Sequence, residues 1–286
     1  MIAKQRFLLA LIALLIVGAI VVINQIPTRL GLDLRGGSQL TLQVKTTDKV
    51  KEITPQVLEG VQKVVEGRIN GLGVSEALVQ SSGKDQLIVQ LPGVNDPQQA
   101  ERVLGGTAQL DFRKQKPNTD VELSTARQSE AILQAELAQL NEKQDKQKID
   151  QLQEKIKGAQ AQIANAYEPT RLTGANLKDA FAQPVSVNSK SWAIGIQFDG
   201  KGGELFADLT KEIAGTGRSL GIFLDNRLIS AAGVDIKYAQ LGITGGSAEI
   251  SGNFTAQSAN DLAVQLRGGA LPVPVEIVEN RTVGAT

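Results

Sequence analysis

Hydrophobic residues form an unbroken run near the start of the chain, Phe7 to Ile23, with neither charge nor proline. At the usual helical rise this run is about 26 Å long, close to the thickness of a bilayer core. Lys4 and Arg6 precede it, so the positive-inside bias places the chain from about residue 24 onward outside the cytoplasm. A cleaved signal peptide is the alternative, but no small-x-small cleavage site follows the run. The pattern favours an uncleaved anchor over residues 1–26.

After this run the pattern alternates between strand and helix periods up to residue 113. In 38–45, Leu40, Leu42 and Val44 alternate with polar residues, which is typical of a strand. Thr54 and Pro55 are the cap and first residue of a helix that Gly71 ends. The later elements are strands over 77–80 and 86–91, a short helix that begins at Asp96 and Pro97 and stops before Gly105-Gly106, and a strand over 107–112. The order βαββαβ predicts a ferredoxin-like unit.

Residues 120–166 contain no proline and a single glycine, Gly158. Two leucine- and isoleucine-rich stripes at helical spacing lie on either side of a polar stretch, 141–148. The stripes share no heptad register, so we expect two antiparallel helices that bend at the polar stretch. A single continuous helix is the alternative, because the stretch contains no helix breaker.

A second block of mixed pattern follows, and the fold class is therefore α+β. Asp225-Asn226 predicts a hairpin turn between two short apolar strands. Pro272 and Pro274 predict that the last strand lies at a sheet edge. The block contains strands over 192–198, 219–224, 227–232 and 273–278, a short strand over 248–250, and helices over 204–214 and 255–266.

Composition excludes several classes of function. Thirty basic and thirty acidic residues cancel, whereas a nucleic-acid surface needs a basic excess. Histidine and cysteine are absent, which removes the commonest general base, the commonest transition-metal ligand and all thiol chemistry. No phosphate-binding loop, dinucleotide fingerprint or nucleophile elbow occurs. We therefore expect neither an enzyme, nor a cofactor, nor a metal site, nor a nucleic-acid partner.

Five segments stand out along the chain: Gly31-Leu32-Asp33-Leu34-Arg35-Gly36-Gly37, residues 66–74, residues 89–94, residues 266–272 and residues 278–284. They resemble, in the same order, motifs of the SecD family of the bacterial Sec protein-export machinery. Each motif is weak alone, but five in order behind an anchor are specific. The resemblance covers about residues 1–113 and 171–286.

The resemblance implies a membrane anchor followed by the first extracytoplasmic domain, with a ferredoxin-like base and an inserted mobile head. We expect the base at 38–113 and 253–280, and the head at 114–252. The helical pair at 120–166, which is foreign to the family pattern, lies within the head. Residues 281–286 would lead into a second transmembrane helix, so the chain is expected to be a fragment or a truncated relative. The hinges are expected at Lys114, Pro117, Gly245, Gly246 and Gly252.

The resemblance also implies a function. An accessory subunit of the Sec translocase would bind emerging preproteins and pull or release them, driven by proton flow through helices that follow. Expected partners are SecF, the SecYEG channel, a YajC-like subunit, unfolded preproteins and membrane lipid. The location would be the inner membrane, with the bulk of the chain periplasmic.

Candidate residues for holding an unfolded chain are the large apolar ones of the head. They are Ile222, Phe223, Leu228 and Ile229 around the hairpin, with Phe181 and Trp192. Core packing is the competing interpretation for each of them.

The residues just after the anchor are expected to shape the entry of the chain into the base. Asp33 and Arg35 would share one face of an extended segment and fix the entry to the base, with a plain turn as the alternative. Gly36 and Gly37 would permit backbone angles that other residues resist.

Two other classes of protein stay open. An efflux-type periplasmic adaptor also joins an anchor, a helical hairpin and β-rich domains, but 107–112 and 192–198 do not resemble the matching halves of its split domain. An anchored hydrolase would need a nucleophile motif that the chain lacks.

Overall fold

The computed structural model describes residues 12, 15–16, 18, 32–74, 76–94, 96–141, 145–187 and 189–284. The predicted anchor lies almost wholly outside these ranges, as does Gly31. Within them, no helix has the length and apolar character that a membrane crossing requires.

The described chain forms seven α-helices and eleven β-strands. The helices are α1 Leu32–Arg35, α2 Pro55–Gly71, α3 Pro97–Gly105, α4 Asp120–Leu137, α5 Lys146–Asn165, α6 Gly200–Ile213 and α7 Ala256–Gly268. The strands are β1 Gly37–Val44, β2 Leu78–Ser82, β3 Gln86–Pro92, β4 Leu110–Gln115, β5 Tyr167–Thr173, β6 Leu177–Pro184, β7 Trp192–Phe198, β8 Ser219–Leu224, β9 Arg227–Gly233, β10 Ser247–Phe254 and β11 Val275–Val283. Short 3₁₀ turns occur at Gly174–Asn176 and Ile236–Tyr238.

The first sheet has the order β11-β1-β3-β2, with every neighbouring pair antiparallel. Alternate residues of β1 are buried, as its sequence predicts, and α2 and α3 cover the same core. Thr54 caps α2 by accepting the Val57 N–H, and Asp96 caps α3 in the same way. We call this sheet with α2 and α3 the base.

One strand of the base was predicted wrongly. The fourth strand is β11, which lies at the sheet edge, and not residues 107–112. Those residues lead into β4, which pairs with β5 and β8 in another sheet. The base therefore ends before residue 110 rather than at residue 113.

Two further sheets, β5-β4-β8-β9 and β10-β7-β6, share one core with α6, and we call this part the head together with α4 and α5. Phe112 and Phe206 both pack on the ring of Phe198, with centroids 5.4 and 5.1 Å away. Strands β5 and β6 were not predicted from the sequence.

Helices α4 and α5 form the predicted hairpin between β4 and β5. Lys148 pairs with Glu136 at 3.0 Å and Gln160 with Glu130 at 2.9 Å, which confirms the antiparallel arrangement. The root of the hairpin has a small core of its own, which includes Leu123, Ile163, Tyr167 and Phe223.

Helix α7 packs on both bodies at once. Leu262 and Leu266 belong to the head core, whereas Val264 contacts α2 at Gly71. Asp261 accepts hydrogen bonds from Gln99 and Arg102 of α3, each 3.0 Å long. The prediction that assigned 253–280 to the base alone is therefore wrong for α7 and for β10, whose residues 253–254 lie in a head sheet.

Candidate functional site at the junction of base and head

The glycine turn, residues 32–37, brings the chain onto the base at the end of β3. Residues 32–35 form one helical turn, which closes where the Gly36 N–H binds the Leu32 carbonyl at 2.8 Å. Gly36 and Gly37 have positive φ angles of 68° and 143°. A Cβ at Gly37 would lie 2.2 Å from the Leu91 carbonyl oxygen, so the close crossing over β3 requires glycine.

Arg35 extends from this turn to the neighbouring loops. Its guanidinium pairs with Glu76 at 2.9 Å, beside a cavity of about 350 Å³. The prediction that Asp33 and Arg35 lie in an extended segment is wrong, because residues 32–35 form one helical turn. The cavity wall is formed in part by Gly73, Val74, Pro92, Gly93 and Asp96.

Arg68 is the central polar group of a second cluster. It lies on the buried face of α2, with its side chain fully enclosed. Its guanidinium donates to five backbone carbonyls, three at the end of α3 and just after it, one at Thr107 and one at Gly269. The acceptors are Val103 at 2.9 Å, Leu104 at 3.3 Å, Gly106, and Thr107 and Gly269 at 3.1 Å each.

Within the described part of the chain, no carboxylate forms an ion pair with Arg68. Burial lowers the pKa of Arg68 to about 10, and the negative charge of Asp225 partly opposes this shift. The guanidinium therefore stays protonated at neutral pH and is held by carbonyl dipoles.

Close glycine contacts bring α2 and α7 together around Arg68. A Cβ at Gly268 would lie 2.5 Å from the Arg68 Cγ, and one at Gly67 would lie 3.4 Å from the Gly268 Cα. At Gly71 it would lie 2.9 Å from a methyl of Val264. Two of the motifs singled out in the sequence, residues 66–74 and 266–272, thus meet in space. The glycine turn likewise meets residues 89–94.

Asp225 approaches the same region from the head. Asp225 and Asn226 both have positive φ, at 50° and 65°, which fits the tight turn predicted between β8 and β9. The Asp225 carboxylate accepts the N–H of Ala108 at 3.2 Å and that of Gln109 at 2.9 Å. Its own N–H donates to the Gln109 carbonyl at 2.9 Å.

The hairpin residues predicted to hold an unfolded chain are mostly buried. Ile222 packs in the head core, and Phe223 is fully enclosed between Tyr167 and Arg113. Leu228 and Ile229 are half-buried against the same cores. The expectation of surface at Ile222 and Phe223 is wrong, because β8 is an inner strand covered on both faces.

Trp192 and Phe181 differ in exposure. Trp192 is half-buried against the head core, whereas Phe181 is 38% exposed.

The predicted hinges lie inside the head. Lys114 belongs to β4, which is paired on both sides, and its ammonium is 2.7 Å from Glu212. Pro117 lies in the β4–α4 turn. Gly245 and Gly246 have positive φ, but the Gly246 carbonyl accepts the Phe198 N–H, and Gly252 lies within β10. The chain crosses between the bodies elsewhere, at residues 106–109 and 268–271.

Sequence reasoning missed Arg68 and Asp225 as junction residues. A signal for Arg68 was present, because it follows Leu58, Val61 and Val65 on the apolar stripe of α2. Asp225 is a typical turn residue, so its sequence context gives no sign of its hydrogen bonds to Ala108 and Gln109. Among the described residues, no group of three or more acidic side chains is placed to hold a metal ion.

Three family models match the chain. They are "SecD/SecF GG Motif" over residues 21–48, "Protein translocase subunit SecDF, P1 domain, N-terminal" over 58–117, and "SecDF, P1 head subdomain" over 150–273. The first contains the glycine turn, and the other two contain Arg68 and Asp225 respectively. Residues 118–149, which include α4, lie between the matched regions.

Relatives of known sequence and structure agree with these models. "Protein translocase subunit SecD" of Synechocystis sp. is 52% identical over 99% of this chain and 61% of its own length. The protein of that name in Prochlorococcus marinus is 42% identical, over 99% and 63%. The chain thus spans about three fifths of these relatives.

Two solved structures are similar as well. "Crystal structure of SecDF in Super-membrane-facing form" has a TM-score of 0.65 and 31% identity over 89% of this chain and 31% of that one. "Structure and function of a membrane component SecDF that enhances protein export" has a TM-score of 0.61 and 30% identity over 86% of this chain and the whole of that one. The chain belongs to the SecD family of protein translocase subunits.

Proposed function

We propose that this chain acts in the Sec protein translocase as an accessory subunit, without enzymatic activity, whose head binds translocating preproteins and helps to pull or release them. The observation that carries the proposal is the match of the family models to the glycine turn, the base and the head. One similar structure, that of a membrane component that enhances protein export, supports the proposal. This function therefore replaces the efflux-type adaptor and the anchored hydrolase as the proposal for this chain.

The proposal extends to partners and location. The chain would be anchored in the inner membrane by residues 1–26, with base and head in the periplasm. It would work beside SecF, the SecYEG channel and a YajC-like subunit, in contact with membrane lipid. In the full-length subunit, proton motive force would drive the head.

We also propose that the base is ferredoxin-like. The antiparallel order β11-β1-β3-β2, with α2 after β1 and α3 after β3, supports this class. The polypeptide leaves the base after α3, forms the head, and returns through α7 to β11.

The end of β6 and the residues just after it supply the head with exposed apolar surface. Phe181, Val185 and Val187 lie within seven positions of one another, and Val187 is 98% exposed. Such surface suits an unfolded chain, which offers apolar side chains without a fixed sequence. This surface therefore replaces the buried β8–β9 residues as the candidate contact.

Crosslinking tests the proposal, because the chain has no native cysteine. Val187→Cys is compared with Val121→Cys on α4, a valine that is 80% exposed. Each is placed in the full-length subunit and crosslinked to a secretory protein arrested during export. Crosslinks from Val187 that exceed those from Val121 support the proposal. Equal or absent crosslinks at Val187, with export intact, would contradict preprotein handling by this surface.

A further inference from the structure

The crossing segment, residues 106–109, is the link by which the chain leaves the base for the head. Its first two carbonyls, those of Gly106 and Thr107, accept hydrogen bonds from Arg68 of the base. Its last two N–H groups, those of Ala108 and Gln109, donate to Asp225 of the head. Every residue of the segment is therefore bound by a charged side chain from one body or the other.

We propose that Arg68 and Asp225 form a two-sided latch, which sets the orientation of the head on the base and must open for the head to turn. The role of head rotation in export rests on the proposed function, whereas the latch is inferred from contacts within this chain.

The charges suit the segment that they hold. A cation at the carbonyls and an anion at the following N–H groups both align with the peptide dipoles of the segment. The two side chains also attract each other across it. Ala108 has a φ of 54°, a left-handed conformation that is unfavourable for alanine and persists only where surrounding contacts impose it.

Arg68 also holds the returning link. The Gly269 carbonyl, at the end of α7, accepts its fifth hydrogen bond. Gly268 contacts the stem of the same side chain, and Gly269 has a φ of 90°. One buried residue thus contacts both crossings between the bodies, so moving Arg68 loosens both of them.

The mean orientation of the head on the base, and the spread of that orientation, can be measured with two spin labels. Cysteines replace Lys63 on α2 and Lys211 on α6, both exposed, in the full chain purified in detergent. Double electron–electron resonance then compares the distance distribution with and without Arg68→Gln or Asp225→Asn. The matched controls are Arg218→Gln, which loses a bond to the Gln115 carbonyl within the head, and Asp235→Asn, which alters the cap of a 3₁₀ turn.

We expect both latch variants to broaden the distribution at least twofold and both controls to leave it unchanged. If Arg68→Gln does not fold by circular dichroism, Asp225→Asn decides, because Asp225 is an exposed turn residue. An unchanged width in a folded latch variant, or equal broadening in the controls, overturns the proposal. The distance measurement involves no preprotein, so a negative result in the crosslinking test would not affect the latch proposal.

Discussion

Arg68 and Asp225, from α2 and from the β8–β9 turn, bind opposite ends of the same four-residue crossing. Arg68 holds the carbonyls of Gly106 and Thr107, and Asp225 holds the N–H groups of Ala108 and Gln109. The contact between base and head is therefore a packed and charged junction rather than a pair of free linkers.

Replacing Arg68 by methionine should lower the free energy of unfolding by about 3 kcal/mol or more, because buried carbonyls lose their donor. Urea unfolding in detergent measures this loss. Arg281→Met is the matched control, since Arg281 is an exposed residue of β11, and it should change stability by less than about 0.5 kcal/mol. Equal effects of the two substitutions would contradict the role of Arg68.

Replacing Gly268 by alanine should destabilise the chain by about 1–3 kcal/mol, since the new methyl would overlap the stem of Arg68. Gly158→Ala in α5 is the control, because no atom of the described residues outside its own helix lies within 4 Å of the added Cβ. That change should stabilise by roughly 0.5–1 kcal/mol through helix propensity. Thermal or urea unfolding of both variants decides, and a stabilised Gly268→Ala would refute the close contact.

Replacing Ala108 by glycine should raise the free energy of unfolding by about 1 kcal/mol, because glycine accepts the positive φ without strain. Ala232→Gly in the exposed part of β9 should instead lower the free energy of unfolding, because glycine in a strand loses more backbone entropy on folding than alanine does. Urea unfolding gives both values. A loss of stability at both positions would show that Ala108 is unstrained.

Tyr167 should titrate at high pH. Burial raises its pKa, while the hydrogen bond to Ser219 and the charge of Arg127 oppose the rise. An unfolded tyrosine releases its proton near pH 10, so it binds the proton more weakly than the folded one. The stability that this difference contributes is complete below about pH 10 and is lost as pH rises above it.

Tyrosinate absorbance in Tyr238→Phe, which leaves Tyr167 as the sole tyrosine, measures the shift. Adding Ser219→Ala should raise the pKa of Tyr167 further, because the hydrogen bond to Ser219 lowers it. A titration at or below pH 10 would place Tyr167 in water and contradict the packed root of the α4–α5 hairpin.

Local signals predicted much of the fold. Thr54, Pro55 and Asp96 mark helix starts that the structure confirms, and the two helices of the hairpin end at Leu137 and begin at Lys146, close to the predicted bend. The assignment of the fourth base strand failed because 107–112 and β11 have similar apolar alternation. The choice between them depends on pairing with β1 across more than 200 residues, which local pattern does not encode.

The junction was less predictable. The motifs around Arg68 and Gly268 resemble family motifs in the sequence alone, but their contact depends on how α7 packs between the bodies. The hairpin residues Ile222 and Phe223 were misjudged because an apolar strand beside a turn looks the same whether it is an edge or an inner strand.

A double-mutant cycle tests the junction most directly. Arg68→Gln, Asp225→Asn and the double variant are unfolded in urea beside the wild type, under identical detergent conditions. The structure predicts a coupling free energy of about 1 kcal/mol or more, because either substitution alone already releases the segment that both residues hold. Additive effects, within about 0.3–0.5 kcal/mol, would show that the two side chains act independently and would contradict a shared latch.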